Sequence, residues 1–125
     1  RSTLMRSSAA SDVYKRQADG SCPVRDFLDT LDDKMLAKLL GTISLLETNG
    51  TQLREPYSKS LGDGIFELRA KQSSNITRIL YFFVVGHQII LTNGFVKKTQ
   101  KTPPEEIALA QKYRADYFYR KESSS

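Results

Sequence analysis

A chain of 125 residues fits one domain with a core of modest size and leaves no room for a second. Lysine and arginine number 19 against 14 acids, a net charge of +5, which suits nucleic acid, an anionic membrane surface or an acidic protein without choosing among them. One cysteine, Cys22, and one histidine, His87, can form neither an intrachain disulfide nor a metal site, so no metal or other cofactor is expected and a reducing, cytoplasmic compartment is the simplest expectation.

Residues Arg1 to Gln17 have no dependable apolar period and lack the hydrophobic segment of a signal peptide. Ser11 to Gln17, reading Ser-Asp-Val-Tyr-Lys-Arg-Gln, looks like translated cloning or adapter sequence, so the native chain is expected to begin near Ala18 or to have lost its own beginning. A genuine disordered basic leader is the alternative. The expected organisation is a leader at 1–17, non-native or disordered, one domain at 18–122 and a frayed tail at 123–125. The leader is expected to add little to the core, although Val13 to Arg16 could form an edge strand.

Asp19-Gly20 is a turn signal, and Pro23 opens a short helix over Val24 to Thr30 that turns Val24, Phe27 and Leu28 inward. A second helix is predicted from Asp32 to about Thr48. There Met35, Leu36, Leu39, Leu40, Ile43 and Leu46 recur at three- and four-residue spacing, and Asn49-Gly50 supply the stop. Such a stripe is a core face rather than a membrane or ligand surface. After a polar linker and Pro56, Tyr57 to Leu61 reads as a short extended piece before the Gly62-Asp63-Gly64 turn.

From Ile65 onward the chain is organised as a meander of antiparallel strands at Ile65 to Lys71, Ile76 to Val85 and Gln88 to Phe95. The middle strand is apolar on both faces, which places it centrally under the Met35 to Leu46 stripe. Between Ile65 and Lys101 the one acid is Glu67, against Arg69, Lys71, Arg78, Lys97, Lys98 and Lys101, an imbalance that favours an anionic partner. If Gln72 to Asn75 make a four-residue hairpin loop, Lys71 pairs with Ile76 and Arg69 stands opposite Arg78. Like charges so placed destabilise a sheet unless something negative lies between them. Glu67 is the candidate counter-charge, so a plain Arg-Glu-Arg ion cluster remains an open reading beside an anion site.

Thr102-Pro103-Pro104-Glu105 reads as a capping box in which Thr102 caps the last helix, which runs from Pro103 to about Lys121 with Ile107, Ala110, Tyr113 and Tyr117 inward. No apolar run is long enough to span a membrane, and there are no internal repeats, phosphate-binding glycine loop or paired cysteine motifs. His87 lies in or beside the Gly86 turn, at the far end of the hairpin from the arginines, and reads as a solvated turn residue.

Five motifs in one order carry a resemblance: Asp19 to Phe27, Gly64 to Arg69, Arg78 to Phe83, Gly94 to Pro103 and Glu106 to Ala110. Together they resemble the phage-derived Gp49-like branch of the RelE/HigB toxins over about Asp19 to Arg120, the junction Gly94 to Pro103 being the most specific. The resemblance implies an α+β fold in which a small antiparallel meander is flanked by two N-terminal helices and one C-terminal helix. It also implies a ribosome-dependent endoribonuclease that cuts messenger RNA by attack of a 2′-hydroxyl on the adjacent phosphodiester, held inactive by a cognate antitoxin that is often a helix-turn-helix protein. The positions that match as catalytic are Arg69, Arg78, Lys97 and Lys98, with Phe95 as a base-stacking neighbour and Lys71 and Lys101 as further substrate-binding cations. Members of the superfamily differ in their general base. Tyr57, Tyr81, Glu67 and Lys98 are the candidates here, and the strand with which the family usually opens can be supplied only by Val13 to Arg16.

The chemistry agrees with the residue types. Attack by a 2′-hydroxyl builds negative charge on phosphate and leaving oxygens, which fixed guanidinium and ammonium groups stabilise. Two rivals use the same charges: a non-catalytic nucleic-acid-binding or regulatory module, and a decayed toxin that keeps only antitoxin binding.

Overall fold

The structure is a computed structural model that describes residues 14–17, 19–84, 88–97 and 101–124, without the side chains of 97 and 121–124. Helix α1 spans Pro23–Asp29, α2 Asp33–Asn49 with a short 3-10 turn after it, and α3 Pro104–Ser124. Strands β1 (Ser58–Gly62), β2 (Ile65–Gln72), β3 (Asn75–Val84) and β4 (Gln88–Lys97) form one antiparallel sheet in sequential order. The fold is therefore the expected α+β meander, with the extended piece after Tyr57 promoted to a full strand. Val85, Gly86 and His87, including the predicted end of β3, lie outside the described residues.

Alternation puts successive β3 side chains on opposite faces, and both faces are covered. On one, Leu68, Ala70, Ile79, Tyr81, Ile89 and Leu91 pack against Val24, Leu28 and the α2 stripe. On the other, Ile65, Leu80, Phe82, Val84 and Ile90 pack against Ala110 and the half-buried Tyr117 of α3. Asp32 accepts the Met35 amide at 2.8 Å and so caps α2. Met35, Leu36, Leu39, Ile43 and Leu46 are all buried, and each contributes on the order of 1.5–3 kcal/mol.

Gly94 is fixed by this packing rather than by its backbone angles. A Cβ there would lie 2.5 Å from Cδ2 of Phe27, so only glycine lets α1 sit this close to β4.

Two departures concern the ends of the domain. Tyr14 is buried in the first core and makes an isolated parallel bridge to Leu91, while the Lys15 amide donates to the Leu91 carbonyl at 2.9 Å. The expectation that the segment through Gln17 adds little to the core thus fails at Tyr14, and in place of the edge strand expected over Val13 to Arg16 the described residues make one isolated bridge, Val13 lying outside them. Buried Lys15 reaches Asp116 of α3 at 2.7 Å, and Arg120 donates to the Arg16 carbonyl at 2.6 Å, so this stretch is tied to the last helix.

At the other junction, α3 starts at Pro104 instead of Pro103, and the Thr102 hydroxyl donates to Glu67 instead of capping the helix. With the first helical residue at Pro104 the cap position falls on Pro103, and the Thr102 hydroxyl donates to the buried Glu67 carboxylate, a strong acceptor.

Candidate functional site

The β2–β3 turn is tighter than expected. Gln72 pairs with Asn75, leaving Ser73 and Ser74 as the loop, and Ser73 takes a positive φ of 56°. The register is nevertheless the expected one: Lys71 opposite Ile76 and Arg69 opposite Arg78. Phe95 continues the arginine row on β4, and Lys97 occupies the register position across from Ile76. This row lies at the end of the sheet near the start of α3.

Glu67 organises it. Its carboxylate is fully buried, accepting from Arg69 Nε at 2.6 Å through one oxygen and from Arg78 Nη1 at 3.4 Å and the Thr102 hydroxyl through the other. Two opposed guanidiniums are therefore bridged by one carboxylate, which removes the repulsion the register would otherwise create. The partners differ in access. Arg78 is 2% exposed and packed beneath the row, whereas Arg69 is 24% exposed and open to a ligand, with the solvent-facing Glu55 carboxylate 4.0 Å from its Nη1. Arg78 accordingly acts as a brace for Glu67, and Arg69 is the guanidinium that can meet a phosphate from outside.

The remaining candidates separate. Lys71 and Lys101 are exposed, and Phe95 is half-buried against the second core beside Leu80 and Phe82. Lys98 lies outside the described residues. Among the base candidates, Glu67 is committed to three donors. Tyr81 is buried with its hydroxyl 2.5 Å from Ser58 Oγ, and burial raises its pKa above the ordinary 10.0, which unfits it for removing a proton near neutrality. Tyr57 is 43% exposed, its carbonyl accepts the Arg69 amide at 2.8 Å, and it lines a depression shared with Arg69. Of the described candidates, Tyr57 alone combines access with nearness to Arg69.

Among the described residues no group of three or more His, Cys, Asp or Glu side chains could hold a metal ion, and no helix is long and apolar enough to cross a membrane. The family model "Phage derived protein Gp49-like" matches residues 26–121. The chain belongs to this family. Membership is consistent with the RelE/HigB resemblance and with a toxin-like module. No curated protein matches the chain.

In this Gp49-like protein, two contributors escaped the sequence reading. Thr102 reads from sequence as a helix cap, and no motif singles out Lys38. The α3 start brings Thr102 to Glu67, and the packing of α2 places Lys38 on the depression that Arg69 also lines.

Proposed function

We propose that this protein is the toxin of a type II toxin-antitoxin system, a ribosome-dependent endoribonuclease that cleaves messenger RNA by 2′-hydroxyl attack using basic side chains. The observation that carries the reading is the Arg69–Glu67–Arg78 bridge: a guanidinium held rigid from behind and open in front, within the residues that the Gp49-like family model matches. A pre-oriented guanidinium stabilises charge developing on a phosphate without reorganising when the reaction occurs. Lys97 and Lys98, on the motif leading to α3, would position substrate or transfer a proton, with Lys71, Phe95 and Lys101 contacting the strand on either side.

The expected partners are ribosome-bound message and an antitoxin, a helix-turn-helix protein whose acidic segment covers or displaces part of the Arg69, Arg78 and Lys97 region. In vitro translation with and without the protein, followed by primer extension on the message, tests the activity. Discrete 3′ ends appearing only with protein and ribosomes are the expected result. The burial of Arg78 and the full engagement of Glu67 favour a second reading, a nucleic-acid-binding or decayed module with a structural ion cluster. Intact message in that assay would select it.

A further inference from the structure

β1 begins pairing at Ser58 opposite Leu68, so β2 continues beyond it from Arg69 to Gln72. At this outer edge lies a depression of ≈ 340 Å³. Its apolar lining includes the half-buried Ile76, and its cations come from two elements: Lys38 on α2, and Arg69 and Lys71 on β2. The exposed Tyr57 also lines it, its backbone held beside β2 by the bond from the Arg69 amide to its carbonyl. An exposed aromatic ring, an apolar wall and three cations match the flat apolar faces and the phosphate of an unpaired nucleotide. A nearby acid, Glu55, leaves the balance positive.

We propose that this depression holds one unpaired nucleotide of the RNA strand, its base against Tyr57 and Ile76 and its phosphate met by Arg69, Lys71 and Lys38. The inference builds on the nuclease reading, because Arg69 belongs both to this depression and to the Glu67 bridge. It makes Tyr57 and Lys38 determinants of which nucleotide is accepted beside the cleaved bond. An extended acidic peptide along the same edge is the competing occupant. It is disfavoured because the third cation, Lys38, stands off the strand on α2, and because the exposed Tyr57 that shares the depression offers an acidic chain no matching group.

The test is an NMR titration of the full chain with adenosine and uridine monophosphates, adenosine, inorganic phosphate and a glutamate-rich hexapeptide containing one leucine. Mononucleotides should shift the amides of Tyr57, Ala70 and Ile76 and bind at least about tenfold more tightly than phosphate or the nucleoside alone. Tyr57→Ala should weaken them by about tenfold, Tyr57→Phe should retain most of the binding, and joint Lys38→Ala and Lys71→Ala should equalise nucleotide and nucleoside. Because these side chains are exposed, thermal unfolding of the variants should match the parent. Phosphate binding as tightly as nucleotide, or shifts from the peptide alone, would overturn the proposal. The two readings fail separately. Message cleavage without mononucleotide binding sinks this subsite and spares the nuclease, and mononucleotide binding without cleavage does the reverse.

Discussion

Arg69 and Arg78 stand directly opposite each other on β2 and β3, and the buried Glu67 carboxylate bridges them, one oxygen to each guanidinium. Their unequal exposure divides the labour between a ligand-facing cation and its support. It also makes the bridge a stability element whose loss can be measured apart from activity.

Glu67→Gln keeps the shape of the side chain but removes the charge between two guanidiniums, one of them buried. The expected loss is about 3 kcal/mol in urea unfolding, against less than about 0.5 kcal/mol for Lys71→Ala on the exposed end of the same strand. Equal effects would show that the bridge contributes no more than a surface pair.

For catalysis, single-turnover cleavage of ribosome-bound message at saturating protein is the informative measurement. Arg69→Ala should slow cleavage by about 10²–10³ with little change in ribosome binding or folding. Arg78→Ala should slow it comparably while also lowering stability, since Glu67 is then left buried with one guanidinium fewer. Arg69→Lys should restore charge and only part of the rate, because the bidentate fork is lost. Rates unchanged in Arg69→Ala, Arg78→Ala and Lys98→Ala would remove these residues from the chemistry.

Gly94→Ala forces a methyl group into the Phe27 ring and to 3.2 Å from the Arg78 carbonyl oxygen. A destabilisation of about 1–3 kcal/mol is expected, and much of it should vanish in a Phe27→Ala background, giving a strong coupling in a double-mutant cycle. Additive effects would place the strain elsewhere.

Tyr81 gives a pH signature. Burial raises its pKa above 10.0, and the Ser58 hydrogen bond only partly opposes this. A raised folded value means that its contribution to stability is complete below pH 10 and is lost as pH rises through the folded value. In the parent, late-titrating phenolate absorbance should appear together with alkaline unfolding, and Tyr81→Phe should make the decline with pH shallower. A decline of the same steepness in both proteins would refute this assignment.

Tyr14 is buried in the first core. Tyr14→Ala should lower stability by about 3 kcal/mol, as expected for an aromatic in the core, and melting curves of the purified variant provide the check. A neutral result would return residues 14–17 to the leader reading.

Register and the amphipathic stripe were legible because both follow from periodicity along a short stretch. Lys71 opposite Ile76 forces Arg69 opposite Arg78, and the spacing of Met35 to Leu46 can bury only one face of α2. The position of Glu67 two residues before Arg69 marked it as the counter-charge for the same reason. Tertiary packing decided what periodicity does not contain. Which arginine is covered depends on the start of α3 folding back over β2, which also brings the Thr102 hydroxyl to the buried Glu67 carboxylate. Tyr57 lies beside Arg69 because β1 begins one residue after it, and Lys38 shares the depression because α2 packs on β2. Tyr14 enters the core because the β4 edge at Leu91 offers an open backbone carbonyl and an apolar surface, which no local pattern in residues 1–17 announces.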